Sequence, residues 1–376
     1  MLSPISRALQ LSPSPAGSYV NANISVDSKG RVTAASGSVP AGTFYPWGNP
    51  ATINLTAINP AYSGWRGGFA AGQWLYLIPA NNGTFVRVNS DFSTVQALDL
   101  TTVNANFCKF SGGCTDGRYA YLAPSGKTNS GLVVRVDLQS FTTSNVNSLN
   151  LAASDASLGA VRGCCTDGLG GYCHNIKAYI ARFTLSNFTP AATQVVGLGY
   201  LMGNLASYSP GPIETDGKNL YTIWGAGSLI YLASTPPGLT NSRVLDVTAY
   251  GTGGQSLLFV GNYIYYLINA KLVRISPDFT SQTVLDLSSL SGGKNFFGLA
   301  AGPQGRYLYL GPTSSSGLVA RVDLADFQTV AISDLSVPPY SISCGNGSFQ
   351  DGRYGYHIDP TTGQLIRYQQ FDGGHF

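Results

Sequence analysis

Apolar and polar residues alternate with period two in short runs along most of the chain, the pattern of half-buried antiparallel strands. One kind of run is aromatic, as in RYAYLAP (118–124), NYIYYLI (262–268) and RYLYLGP (306–312). Before it stands a run of small residues such as AVRGCCTD (160–167), closed by a turn that is often Asp-Gly. After it comes an apolar run with one arginine: TFVRVNSDF, LVVRVDLQSF, AKLVRISPDF, LVARVDLADF, QLIRYQQF. A weaker fourth run, such as TVQALDL or TVLDLSS, completes the unit.

The unit repeats. A glycine precedes a tyrosine by four residues at Gly72/Tyr76, Gly117/Tyr121, Gly168/Tyr172, Gly217/Tyr221, Gly261/Tyr265, Gly305/Tyr309 and Gly352/Tyr356, and successive glycines lie 44 to 51 residues apart. Four short strands and their turns fill that period, which predicts an all-β, seven-bladed β-propeller over residues 51–376. The last repeat stops after three strands, while ATINLTAI (51–58) resembles a fourth strand. Pairing the two would close the ring and leave no open edge.

The arginine recurs at Arg87, Arg135, Arg182, Arg274, Arg321 and Arg367, each with a phenylalanine four to six residues later, and Tyr231 takes its place in the fourth repeat. A ring of arginines could capture an anion, but a residue repeated in every blade is expected to make one repeated structural contact, to a turn Asp or a strand-end carbonyl.

Composition supports the all-β reading. Only 10% of the 376 residues are charged, Glu214 is the single glutamate, and Gly (46) and Tyr (22) are abundant. The net charge of +3 is spread out, so no basic stripe for nucleic acid is expected, and no apolar stretch is long enough to enter a membrane. The six cysteines read mostly as small buried residues, with Cys165/Cys173 and Cys108/Cys114 as conceivable cross-strand pairs and no spacing for zinc.

Ahead of the repeats, residues 17–37 read as a β-hairpin in which Ile24 and Val26 alternate on one side of the turn and Val32 and Ala34 on the other, with Asp27-Ser-Lys-Gly30 as the reversal. So short a segment must pack on something else. Residues 38–50 form a Gly/Pro-rich collar. The string from Tyr19 through Asn21-Ala22-Asn23-Ile24-Ser25-Val26-Asp27 to Gly30-Arg31-Val32-Thr33-Ala34-Ala35 resembles a short module common in bacteriophage head-fibre and tail-fibre proteins, departing from it at Ser25 where threonine is usual. The resemblance covers about 20 residues. It implies a virion structural protein on the particle surface, held to other virion proteins through residues 1–50, homo-oligomeric and often trimeric. A sialidase Asp-box reading of the same stretch fails, because the glycine falls one place late and the closing aromatic is missing.

No catalytic constellation is visible, so a non-enzymatic protein without cofactor or metal is expected. Asp116, Asp167, Asp216 and Asp351 sit at turns, Asp137 and Asp323 in the third-strand motif, and Asp155, Asp246 and Asp334 lie outside the pattern. Glu214 reads as an exposed carboxylate flanking a turn, and His174, His357 and His375 lack partners in sequence. The aromatic residues outside the repeat, Trp224, Tyr200, Tyr208 and Tyr340, are the weak ligand candidates for a host glycan or protein. The expected role is a displayed propeller for host-surface recognition or particle decoration. A propeller enzyme degrading cell-surface polysaccharide, or an architectural collar or cement protein, are the alternatives.

Overall fold

A computed structural model of the chain describes residues 23–26, 32–36, 51–124, 131–159, 161–175, 179–197, 211–224, 228–233, 242–251, 254, 256–302, 305–313, 316–336 and 347–369. It divides into two compact units, Met1–Phe44 and Tyr45–Phe376. The described part of the first unit is an antiparallel pair, Asn23–Val26 with Val32–Ser36, which carries the expected hairpin strands. The reversal between them lies outside the described residues.

The second unit is a β-propeller of four-stranded antiparallel sheets. Six blades are each built from four consecutive strands, spanning Trp65–Asp99, Phe110–Asn150, Val161–Gly197, Ile213–Asp246, Ser256–Asp286 and Phe296–Asp334. We number them 1 to 6. A further four-stranded sheet is composite: Ser348–Gln350, Tyr354–Ile358 and Gln364–Gln369 take Ala51–Asn54 as their outer strand, in the register Ala51↔Arg367, Thr52↔Ile366, Ile53↔Leu365 and Asn54↔Gln364. The first strand of each sheet touches the first strand of the next, and the composite blade touches blade 1. These first strands line the ring's centre.

One expectation needs correcting here. Of ATINLTAI only Ala51–Asn54 is strand, and Leu55–Ile58 forms a single helical turn. Asn54 caps that turn, its Oδ1 accepting from the N–H of Ala57, and Leu55 is fully buried against the composite blade.

The glycine–tyrosine spacing has a geometric cause. All seven repeat glycines have positive φ, from +61° to +93°, at the tight turn between the first and second strands. Four residues on, the tyrosine ring is buried between blades; Tyr121, Tyr172, Tyr221 and Tyr356 are all 0% exposed. Where Asp precedes the glycine, the phenol donates to it: Tyr121 to Asp116 Oδ2 at 2.9 Å, Tyr172 to Asp167 at 2.6 Å, Tyr221 to Asp216 at 2.9 Å and Tyr356 to Asp351 at 2.6 Å. The same carboxylates accept turn N–H groups, as Asp116 Oδ1 does from Arg118 and Tyr119. The turn role expected of these aspartates is met.

The repeated arginines join neighbouring blades. The Arg87 guanidinium lies 4.3 Å from the Trp74 ring of its own blade and 4.2 Å from Phe141 of blade 2, and donates to the Leu138 carbonyl at 2.9 Å. Arg135 repeats this with Tyr119, Phe188 and the Leu185 carbonyl, and Arg367 with Tyr354, Phe92 and the Ser90 carbonyl. The recurring phenylalanine sits in a left-handed turn, with φ of +66° at Phe92, +44° at Phe141, +64° at Phe279 and +54° at Phe327. The repeated-contact reading therefore holds, with a strand-end carbonyl as partner. In blade 4 the Cα partner of Tyr231 is Arg243, and Arg243 reaches the Asp278 carbonyl of blade 5 at 3.3 Å.

Candidate functional site

The residues expected to bind ligand do not gather into a site. Trp224 ends the second strand of blade 4, is 0% exposed and packs edge-on to His174 at 5.6 Å. It is core, a correction forced by that burial. Tyr200, Tyr208 and Tyr340 lie outside the described residues. Asp155, Asp246 and Asp334 serve local turns, accepting from the N–H of Ser157, Thr248 and Ser336.

His174 and His357 are core groups as well, and His375 lies outside the described residues. Burial pushes His174 down to about 4 and His357 to about 3, so both are neutral near pH 7. His357 Nδ1 lies 2.8 Å from Ser348 Oγ, a contact enclosed between blade 6 and the composite blade, where a Cβ on Gly311 would meet both side chains.

Glu214 departs from expectation. It lies within the inner strand Ile213–Thr215, half-buried, opposite Tyr221, where other blades place Phe69, Cys114, Cys165, Leu258 and Phe349. Desolvation pushes its carboxyl up to about 8. Cys165, itself raised by burial, feels its charge.

The described cysteines are free thiols, and the conceivable pairs Cys165/Cys173 and Cys108/Cys114 do not form. Cys164, not Cys165, is the cross-strand partner of Cys173, and Cys114 Sγ of blade 2 lies 3.4 Å from Cys164 Sγ of blade 3. Among the described residues no group of three or more His, Cys, Asp or Glu could hold a metal ion. No helix among them is long and apolar enough to cross a membrane.

A concave site does exist, at the end of the ring where the inner strands begin. It encloses about 730 Å³, within the range of small-molecule pockets. Its walls come from the starts of three consecutive inner strands (Trp65 and Arg66, Lys109 and Phe110, Arg162), from Ser63 and Gly64 just before blade 1, from Ala80 and Asn81 within it, and from Pro360 and Thr361 of the composite blade.

Strand irregularity builds it. Register shifts interrupt the inner strands between Trp65 and Gly68, Phe110 and Gly112, and Val161 and Cys164. Arg66, Ser111 and Arg162 occupy these bulges, which re-aim side chains that a regular ladder would direct elsewhere. Lys109 precedes the blade 2 bulge at φ +56°, a left-handed conformation uncommon outside glycine. Ser111 Oγ donates to the Arg162 carbonyl at 2.6 Å and ties two bulges together. The rim is also fixed: Gly64 N–H donates to the Pro360 carbonyl at 2.8 Å, Ala80 N–H to the Gly64 carbonyl at 2.7 Å, and Asn82 Nδ2 to the Ala61 carbonyl at 2.9 Å.

Three cations thus line the pocket, and among the described residues no carboxylate does. The nearest acid along the chain, Asp359, is 1% exposed and accepts from the N–H groups of Thr361 and Thr362. Trp65 is 1% exposed, and its indole Nε1 has no hydrogen-bond partner. Sequence reasoning passed over these residues because it looked for repeated motifs and irregular aromatics. The available signal was a cation inside a run of small residues, at Arg66 and Arg162.

No protein-family model matches the chain, and no curated protein matches it in sequence. Its fold is similar to that of solved propellers. Virginiamycin B lyase from Staphylococcus aureus aligns with a TM-score of 0.64 at 12% identity, over 86% of this chain and 99% of that one. The β-propeller domain of Cps50 (Swd1) from Myceliophteria thermophila gives 0.63 at 11%, over 85% and 98%. PorZ, a bacterial surface component of the type-IX secretion system of Porphyromonas gingivalis, gives 0.57 at 11%, over 87% of this chain and 38% of its own. Identities this low speak for the fold alone.

Proposed function

We propose that this chain is a bacteriophage virion structural protein, a head or tail fibre displaying a seven-bladed β-propeller that recognises a host surface. The fibre-type module at Tyr19–Ala35 carries the reading. Residues 1–50 attach the chain to other virion proteins and to copies of itself, as a trimer. The propeller binds without covalent chemistry: a rigid ring presents a preformed pocket, and several copies per particle turn weak single contacts into avidity. Mass spectrometry of purified particles should find the chain, and purified protein should block particle adsorption to host cells. A chain missing from particles, or one that shortens host capsular polysaccharide on incubation, would replace this reading with the enzymatic one.

A further inference from the structure

We infer that the pocket at Arg66, Lys109 and Arg162 binds an acidic saccharide, a sugar bearing a carboxylate or a phosphate. The inference rests on the reading of the propeller as a binding module and names the chemistry of its ligand.

The charges that converge there differ from the chain's other cations. The repeat arginines are occupied: Arg87, Arg135, Arg274 and Arg367 are stacked between rings of adjoining blades, several of them donating to a backbone carbonyl, and Arg182 and Arg321 lie over a tyrosine of their own blade. Arg118 and Arg306 pair with Asp137 and Asp323. Arg66 and Lys109 are exposed, and neither side chain has an ion pair or hydrogen bond among the described residues. They approach from adjacent blades, with Arg162 contributed by the third. The exposed Arg66 and Lys109 are like charges with no counter-charge among the described residues, and an anion that bridges them relieves their repulsion.

The wall adds a second feature: the short polar side chains of Ser63, Asn81 and Thr361 stand beside the cations. Charged and neutral polar groups in one concavity suit a ligand carrying both an anionic group and further oxygens. The two aromatic residues, Trp65 and Phe110, are each 1% exposed and offer no open ring face, so a neutral sugar recognised by stacking fits poorly. The fixed rim means little ordering accompanies binding.

The test is titration of the full chain with trigalacturonic acid, glucose 1-phosphate, maltotriose and inorganic phosphate, read by calorimetry and tryptophan fluorescence. At least one acidic sugar should bind, more weakly as salt is raised, with maltotriose binding about tenfold less well or not at all. Which acidic sugar binds separates a carboxylate source from a phosphate source. The double variant Arg66→Ala/Lys109→Ala changes two exposed side chains and should keep the melting temperature while losing about tenfold or more in affinity. Arg118→Ala, outside the pocket, should bind as the parent does. Failure of both acidic sugars, equal binding of maltotriose, or undiminished binding by the double variant overturns the inference. Inorganic phosphate binding as tightly as either sugar overturns its saccharide part. Finding the chain on particles while these titrations fail would sink the ligand assignment alone. Its absence from particles would sink the virion reading and leave the titrations to stand by themselves.

Discussion

Tyr172 donates its phenolic hydrogen to Asp167 Oδ2 across 2.6 Å, while Oδ1 of the same carboxylate accepts from the N–H groups of Leu169 and Gly170 at 2.9 and 2.6 Å. One aspartate therefore fixes both a turn and the tyrosine that packs between blades. Tyr172→Phe should cost about 1–2 kcal/mol in denaturant unfolding, since it strips a hydrogen bond from a carboxylate. Tyr76→Phe should cost less, because its hydroxyl has no carboxylate partner and donates to the Leu138 carbonyl across 3.5 Å.

The same pair predicts an acid response. Burial works to raise the Asp167 carboxyl, but hydrogen bonds from Tyr172, Gly170 and Leu169 and the Arg182 charge outweigh it, so its pKa lies below the usual value. A depressed folded pKa stabilises above the ordinary carboxylate range, and that stabilisation is lost as pH falls through the folded value. The gap in melting temperature between the parent and Tyr172→Phe should thus be full near neutrality and close in acid. A gap independent of pH would count against a charged partner.

Glu214 behaves with the opposite sign. Its folded pKa, raised to about 8, exceeds the ordinary value, so the native state holds the proton more tightly and loses stability as pH climbs between the two. Glu214→Leu places there the residue type that blade 5 already has at Leu258. It should melt above the parent at pH ~9, with the difference shrinking toward pH ~5. Equal differences at both values would mean that the carboxyl is well solvated.

The arginine sandwich predicts that charge alone is insufficient. Arg87→Lys keeps the cation and loses the planar group that stacks on Trp74 and Phe141 and donates to Gln96 at 2.8 and 2.6 Å. We expect a loss of about 1–2 kcal/mol, nearly as large as for Arg87→Ala, with little dependence on salt. Full stability in the lysine variant would reduce the contact to simple electrostatics.

Two glycines should fail for different reasons. A Cβ at Gly347 would meet the Gly67 Cα at 2.4 Å, backbone against backbone at the ring's centre, so Gly347→Ala should cost about 1–3 kcal/mol. Gly72 has open space around it but a φ of +61°, so Gly72→Ala should cost about 1 kcal/mol through conformation alone. Thermal unfolding of the two variants gives the comparison.

How much of this was legible beforehand follows from what repeats. Gly, Tyr, Arg and Phe recur because each makes the same contact in blade after blade, so spacing alone exposed the propeller and its closing strand at Ala51–Asn54. The boundary at Leu55 was missed because a helical turn capped by Asn54 reads the same as a strand over four residues. The pocket was missed for the converse reason. Arg66 and Arg162 stand on bulges, and Lys109 on a left-handed residue, local departures that leave little trace in a periodic pattern. Trp224 looked available because it broke the repeat, yet it fills space beside His174.

The shared sheet of Ala51–Asn54 and Gln364–Gln369 also sets a schedule for biosynthesis. Ala51 leaves the ribosome well before its ladder partner Arg367, so that strand must wait unpaired while all six intervening blades are translated. Blades 1 to 6 can form one after another as they emerge, but the circle locks only once Gln364–Gln369 has followed them. A truncation just before Gln364 would therefore strand an otherwise finished domain with two loose ends.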